Sequence, residues 1–575
     1  MSNYWQRALQ HRIGRRRAIA TTGAFGAAAA FLAACGGSDN NNSSSSGGTG
    51  ATGATGGKGQ SGLLFQPTDQ LDQAIMGGKY VDSHPLVLVT MDPMKSGGQI
   101  RVARRGYSQL FRVTDGVNQQ SDGTIDGDLA QSFELSPDKL TLTAKLDPGA
   151  GLPPIPPVNG RTMDADDVVY SWNRLQTEGV LRTELVNSAN AAAPISSITA
   201  PDKQTVVVKL AQPDVTIFPA LASDVLGGLY VIPKEGDGGF DIARTAIGSG
   251  PFYMTGGGSE VMYNWKKNPN FKRTKLTKGE PFIDEISEPV VTDLATGTSQ
   301  FRAGALYEYP VPALEVVGTK KDIPELLMQA TPPTTFDERL FFGQAEGSPF
   351  KDERVRQALM KILDRDAFIA VAYNTDNFAK EGLPVTAFWE GAIFANTYKG
   401  WYLNPQDPSF GPNADNYKYD PDAAKKLLSA AGHDTLAFDM TYGAPSPTSF
   451  PPSYYTRAEV FLGMIESSQI FKMSRKLIDY KTEWSTERYR FSLGNFDGMT
   501  WGPDTSSNEA TLGMFFVYNS KGGYYMGGDA TLDDLTAKAR QEFDTSKRMD
   551  LIHQVQQYDA GKMYNEKIGV GGGFQ

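Results

Sequence analysis

The sequence predicts an α/β fold, and three observations carry that prediction. From about residue 62 onward, segments of strand character alternate with segments of helical periodicity. Three of the helical segments open on an aspartate placed to cap them. The part of the chain expected to fold, roughly 500 residues, is long enough for more than one hydrophobic core.

The leader comes first. Gly14-Arg15-Arg16-Arg17 precedes an Ala-rich apolar run from Ala18 to Ala34, and the run ends at Cys35, the single cysteine of the 575 residues. A positive stretch, a short apolar stretch and small residues before a cut point describe an export signal over residues 1–34. The competing reading is an N-terminal membrane helix with an incidental cysteine, for which about 17 residues is the short edge of a span. Leu32-Ala33-Ala34-Cys35 resembles the lipobox of bacterial lipoproteins, which implies a lipid on Cys35 and a protein working outside the cytoplasmic membrane. The paired arginines resemble a twin-arginine signal, although Ala18 stands where that pattern prefers a larger apolar residue. Removing residues 1–34 leaves 50 basic against 65 acidic residues, a net charge near −15. That balance argues against a nucleic-acid partner, which needs a basic face, and against broad electrostatic binding to anionic lipid. With Cys35 used for the anchor no internal disulfide forms, so stability has to come from core burial. No second apolar stretch is long enough to cross a bilayer.

From Gly36 to about Gly62 the chain is Gly, Ser, Asn, Thr and Ala, too poor in apolar residues to offset its ordering entropy, and is expected to act as a flexible tether. Its Gly57-Lys58-Gly59 fails as a phosphate loop, because Thr52 stands at the first glycine position and Gly59 replaces the Ser or Thr. Gln99–Ala103 and Thr205–Leu210 are strand candidates. Asp164 is expected to cap a helix, with Asp167 at its third position and Val168, Val169, Trp172 and Leu175 buried. Asp352 opens a second helix on the face Val355, Ala358, Leu359, Ile362 and Leu363. Asp420-Pro421 opens a third, with Leu427, Leu428 and Ala431 inside and Gly432 at its stop.

Six stretches, in order, carry a resemblance to the family 5 extracellular solute-binding proteins, the oligopeptide, dipeptide and nickel class of ABC-importer receptors. Leu129-Ala130-Gln131-Ser132-Phe133-Glu134-Leu135-Ser136 resembles "LAesWevS". Gly160 to Trp172 resembles the signature "G.pftAdDVvysw". Ala246 to Phe252 resembles "pIGTGPF". Pro349-Phe350-Lys351-Asp352, with Arg354 to Leu359 and Asp364-Arg365, resembles "pFkDvRVRqAl…aiDR". Tyr419 to Gly432 resembles "yDPekAkkLLaeAG", and Asp544 to Arg548 falls on the family's late "D…R" helix. The resemblance implies two α/β lobes of the periplasmic-binding-protein type (type II, cluster C-like), with an extra small domain inserted in the first lobe. Mapped here, the first lobe takes residues 63–120 and 216–284, the inserted domain 121–215 and the second lobe 285–545. Residues 546–575 are expected to return to the first lobe. The family puts a strand, a "tLDP" element and a helix before "LAesW"; here Met91-Asp92-Pro93 precedes the Gln99–Ala103 candidate, so that region is expected to be rearranged. The family's frequent Gly-x-x-Asp ends in Tyr307, and the closing strand is expected to be shortened or the sequence incomplete.

Trp501-Gly502-Pro503-Asp504 stands where peptide-binding members carry W-x-x-D, which implies that Asp504 meets a peptide α-ammonium and Trp501 forms an apolar or cation–π wall. An ammonium entering a closed, partly dry cleft needs such a counter-charge. A plain turn is the competing reading, since Gly, Pro and Asp are turn formers. Asp497 and Tyr253 are weaker ligand-binding candidates, the latter against a core tyrosine. Arg354 and Arg356 read as ion-pairing helix residues rather than ligand clamps. Asp164, Asp166 and Asp167 read as an acidic helix start rather than a calcium loop. The scattered His11, His84, His433 and His553 and the absence of HExxH or CxxC spacing argue against zinc. Gly256-Gly257-Gly258 lacks dinucleotide spacing. No catalytic residue, metal or cofactor is expected.

The leading functional expectation is a lipid-anchored, monomeric receptor on the outer face of the cytoplasmic membrane, capturing short peptides between its lobes for an ABC permease. Hinge closure would follow from differential affinity for the closed state. The alternatives are the same receptor with an oligosaccharide or another small organic solute, given 24 Tyr and 7 Trp, and a secreted hydrolase using paired carboxylates. A sensory or adhesive protein on the same clamshell is a further class. No G-x-S-x-G motif supports an esterase or peptidase.

Overall fold

Three sheets of four or five strands organise the described residues, and all three lie in the second of the two units into which the chain separates at Gly62–Leu63. The structure is a computed structural model that describes residues 62–66, 73–95, 100–114, 121–179, 182–222, 228–256, 258, 260–272, 280–333, 338–444, 452–479, 483, 494–503, 509–525 and 527–574. The leader, Cys35 and the Gly/Ser-rich segment lie outside these residues, and so does Asp504.

The first lobe holds a four-stranded sheet in the order Lys79–Val81, Glu285–Pro289, Met262–Lys267, Phe252–Met254. Its first pair is parallel, with Tyr80 beside Ile286, and the others are antiparallel. In Met262–Lys267, Tyr263 and Trp265 point inward while Asn264 and Lys266 point out, the period-two pattern of a half-buried strand. The inserted domain is an antiparallel sheet ordered Ala130–Leu135, Thr141–Leu146, Thr205–Leu210, Ile195–Asp202. The β-branched Thr205–Leu210 is a strand, as its composition predicts. The helix Ala165–Glu178 packs on this sheet. Its start is a capping box: Asp164 accepts the N–H groups of Asp166 and Asp167, and Asp167 accepts that of Asp164. Val168, Trp172 and Leu175 are buried and Val169 half-buried.

The strand expected at Gln99–Ala103 is instead part of a helix, Ile100–Gly106. Burial falls on Val102, Ala103 and Gly106, a helical stripe, while Arg101 and Arg105 stand one turn apart and both pair with Asp82 and Glu288. Gly250 of the Gly-rich stretch lies against this helix; a Cβ there would come 2.4 Å from the Arg105 carbonyl oxygen. This placement also removes the expected rearrangement. Strand Lys79–Val81, then Met91-Asp92-Pro93, then helix, then Leu129-Ala130 is the order of the family pattern. Asp92 is buried and its carboxylate takes both arms of Arg174, at 3.1 and 2.6 Å.

The second lobe holds a five-stranded sheet ordered Phe471–Ile478, Leu436–Gly443, Met499–Pro503, Glu338–Phe342, Asn565–Glu566. Leu436–Gly443 is parallel to both its neighbours, and Glu338–Phe342 is antiparallel to both of its own. The helix Glu353–Lys361 starts on Asp352 and buries Val355, Ala358 and Leu359, with Ile362 and Leu363 buried just beyond it. The helix Pro421–Ala430 starts on Asp420 and buries Ala424 and Leu428, with Leu427 and Ala431 half-buried and Gly432 at φ +92°.

Two boundaries differ from expectation. Glu285–Pro289 belongs to the first-lobe sheet, so the chain crosses to the second lobe only after Pro289. Residues 546–571 pack on the second lobe rather than returning to the first, while Phe574 joins a cluster with Leu306 and Met328 against which Leu64 and Val81 pack. The helix Thr545–Lys562 sinks Ile552 and Val555 into the same cluster as Tyr518, Leu532 and Phe341. That leaves the last strands beside open backbone edges: Asn565–Glu566 pairs with Leu340 and Phe341, Gly569–Gly571 with Ala387–Trp389, and Gly573–Phe574 with Ala330–Thr331.

Candidate functional site

In open sheets with parallel strands, ligands collect outside the carboxyl ends of those strands. In the second lobe, Leu436–Gly443 and Met499–Pro503 end side by side, Tyr442 next to Trp501, with Glu338 of the antiparallel strand opposite Pro503. Trp501-Gly502-Pro503 is therefore strand rather than turn, and Asp504 follows its last residue. Trp501 itself is 2% exposed. Its ring stacks on Phe461 (4.9 Å, 21°) and meets Phe368 edge-on at 6.4 Å. Its carbonyl accepts the Tyr454 hydroxyl at 2.8 Å, and that hydroxyl accepts the Gly443 N–H at 3.0 Å. The buried indole N–H finds no acceptor among the described residues. Trp501 thus ties two strand ends to the helix Pro452–Ser468.

Beside it lies an ion pair that the sequence did not flag. Arg457 donates Nε and Nη2 to the two carboxylate oxygens of Glu338, at 2.7 and 2.5 Å, with the side chains 10% and 5% exposed. The Arg457 guanidinium stands 5.9 Å from the Tyr373 ring centre. One signal was available: a carboxylate heading the otherwise largely apolar strand Glu338-Arg339-Leu340-Phe341-Phe342 needs a partner when buried. Its partner is 119 positions away.

The other candidates sit elsewhere. Asp497 is exposed just ahead of Met499, at the opposite end of that strand from Pro503. Tyr253 is half-buried on an edge strand of the first-lobe sheet, where it lines a groove of about 530 Å³ with Ile155, Ile247, Arg244 and Lys266. Tyr253 and Trp501 therefore belong to different sheets. Arg354 pairs with Asp352 at 2.5 Å and donates to the Ala430 carbonyl. Arg356, buried, donates to the Phe350 and Lys562 carbonyls and covers Tyr564 at 4.7 Å. Both are structural pins. The acidic cluster is a helix start: Arg161 holds Asp167 and Glu235, while Lys203 and Lys234 hold Asp164. In the first lobe, burial pushes the Asp82 carboxyl up against the pull of Arg101. His84 packs edge-on against Tyr263 at 5.3 Å, and burial lowers its pKa. Among the described residues no group of three or more His, Cys, Asp or Glu is placed to hold a metal, and no helix is long and apolar enough to cross a membrane.

Two α/β lobes, one carrying an inserted antiparallel domain, define a two-lobed binding-protein architecture. The sequence profile of "Bacterial extracellular solute-binding proteins, family 5 Middle" matches residues 124–517, and the chain belongs to that family. A Brucella ovis protein named as an ABC transporter peptide-binding protein is 28% identical over 321 residues, 54% of this chain and 53% of the relative. The chain thus aligns with about half the length of that relative. A Pseudomonas aeruginosa protein named as a di/tripeptide-binding protein is 25% identical over 455 residues, 76% of this chain and 79% of the relative. Among solved structures, Helicobacter pylori DppA in complex with the peptide STSA superposes with TM-score 0.68 at 18% identity, over 87% of this chain and 95% of DppA. MoaA of A. tumefaciens R10 in complex with mannopinic acid gives 0.63 at 21%, over 87% and 94%. At such identities the superpositions speak for the fold.

Proposed function

We propose that this chain is the solute-capturing receptor of an ABC importer and that its solutes are short peptides. One observation carries the reading: family 5 membership across residues 124–517, in a chain whose similar proteins include ones named for peptide binding. Peptides would be held between the lobes mainly through backbone groups, a strand-addition mode that tolerates many side chains. Asp504, following the strand end beside Glu338 and Arg457, would meet the α-ammonium, and Trp501 would set the position of that strand end. Asp497 and Tyr253 remain secondary candidates for ligand contact. Binding and closure suffice; the chain would perform no catalysis. A lipid on Cys35 would hold a monomeric clamshell at the outer face of the cytoplasmic membrane near its permease, and the segment from Gly36 to about Gly62 would let it search.

Titrating the chain with a mixture of di- to pentapeptides should raise its melting temperature in step with peptide concentration. Asp504→Ala should weaken free-amine peptides but not their N-acetylated forms. A shift with oligosaccharides and none with peptides would overturn the peptide assignment. A sugar–amino-acid conjugate is the second ligand class to include, because MoaA shares the fold and its structure holds mannopinic acid.

A further inference from the structure

We propose that the inserted domain clasps the second lobe when the receptor closes, through a buried cluster of Glu184, Asp214 and Arg540. The chain passes between lobes after Pro289, and the contacts beside that crossing use Phe65, Val81 and His84 on one side and Val291, Tyr307 and Met328 on the other. A second set of contacts shares none of these residues. Arg540, on the helix Ala530–Gln541, forms an ion pair with Asp214, the side chains 5% and 1% exposed. The Arg540 carbonyl accepts the Val215 N–H at 2.9 Å, and its guanidinium lies 4.1 Å from the Phe515 ring centre. Glu184, on the short helix Arg182–Leu185 of the inserted domain, accepts the Gly523 N–H at 2.7 Å. A Cβ at Gly523 would come 2.2 Å from that carboxylate oxygen, so a larger residue there would displace the Glu184 side chain. Asn190 donates to the Lys521 carbonyl at 2.8 Å.

The composition of this contact suits repeated opening. Leu512 of the second lobe joins the apolar cluster that includes the inserted domain, while the contact itself is charged. Separating buried charges returns each to water, and that hydration offsets much of the lost Coulomb attraction. Polar contacts between domains are where relative motion is the default. The charged groups facing Glu184 are Arg540 from the second lobe and Asp214 from its own domain; burial pushes its carboxyl up to about 7, with Arg540 and the Gly523 N–H opposing and Asp214 assisting. Once hydrated, the carboxyl returns to the ordinary range near 4.3. The closed state thus holds a proton that the open state releases. Its advantage is complete below the ordinary carboxylate range and is lost as pH rises through about 7.

A clasp of this kind presupposes a receptor whose lobes open and close, but the test needs no ligand, so its failure and a failure of peptide capture are told apart. Hydrogen exchange of the whole chain would be followed by mass spectrometry at pH 6 and pH 8, normalised to intrinsic exchange rates. Protection of the segments holding Val215 and Gly523 should fall about tenfold from pH 6 to pH 8, while the strand Thr205–Leu210 stays unchanged. Glu184→Gln should abolish that fall. Equal protection at both pH values, a fall that persists in Glu184→Gln, or one shared by Thr205–Leu210 would each overturn the clasp. Should Glu184→Gln not fold, the comparison within the unmodified chain decides.

Discussion

Two ionic clusters in this molecule use the same residue types under opposite conditions. At the start of the helix Ala165–Glu178, Arg161 lays both terminal nitrogens on Asp167 at 2.7 Å and its Nε on Glu235 at 2.6 Å, with the Arg161 side chain still 26% exposed. Beneath the last strands, Arg339, Arg365, Asp559 and Glu566 are sealed from water altogether. There Arg339 donates to the carbonyls of Ala392 and Asn565, and the Tyr518 hydroxyl donates to Asp559 at 2.7 Å. Arg365 stacks 4.8 Å over Tyr417, whose hydroxyl faces Glu566. In the first cluster water reaches Arg161 and Glu235, although Asp167 itself is buried. In the second every charge depends on its neighbours, and burial pushes both carboxyls up.

The sharpest way to break this contrast is Arg339→Ala. Removing a cation from a sealed network strands the groups it served, and the loss should be about 3–5 kcal/mol. Urea titration, followed by hydrogen exchange in the strand Glu338–Phe342, would measure it. Arg339→Met, which keeps the volume and drops the charge, should recover part of that loss. If Arg339→Ala costs no more than deleting a helix cap, the sealed cluster is no different in kind from the exposed one.

A pH series should separate the two by sign. Asp559 is raised to about 6, chiefly by burial, and Glu566 is raised as well. Carboxyls raised in the folded state stabilise it most below their ordinary range, and that contribution is lost as pH climbs through about 6. Glu235 is held low by its bond from Arg161. In Asp164 burial pushes upward, but the bonds from Lys234 and Lys203 win and hold it low. Their contribution is present above the ordinary carboxylate range and is lost on acidification. Lowering the pH from 7 to 5 should therefore increase exchange protection around Glu338–Phe342. Going on below pH 4 should reduce it along Ala165–Glu178. The same sign in both regions would sink the assignment.

The two clusters also show what a sequence can reveal. Asp164 and Asp167 are three residues apart, and their capping box was legible because cap and capped group share one turn. The same holds for Asp352, Asp420 and the apolar faces behind them. Gln99–Ala103 misled because Ile100 and Val102 alternate over so short a run. What fixes its helix is the pairing of Arg101 and Arg105 with Asp82 and with Glu288, the latter 187 residues from Arg101. At the candidate site Trp501 was visible as part of a motif. Its seat between Phe461 and Phe368, and the neighbouring Glu338–Arg457 pair, arise only when distant helices close over the sheet. The second-lobe docking of the last strands depends likewise on pairing between residues more than 200 positions apart, Leu340 with Glu566.

The finest distinction lies within the exposed cluster. Asp164→Ala removes a side chain that accepts two backbone N–H groups at the helix start, and should cost about 1 kcal/mol. Lys203 meets the same carboxylate from a side chain 62% exposed, and Lys234 meets it independently at 3.2 Å. Solvent already screens such a pair, and the second lysine duplicates it. Lys203→Ala should therefore leave the urea midpoint of the inserted domain unchanged, while Asp164→Ala lowers it and raises exchange in the first turn of Ala165–Glu178. Equal effects from the two variants would mean that ion pairing, rather than the cap, holds the helix start, and the water-facing cluster would then behave like the sealed one.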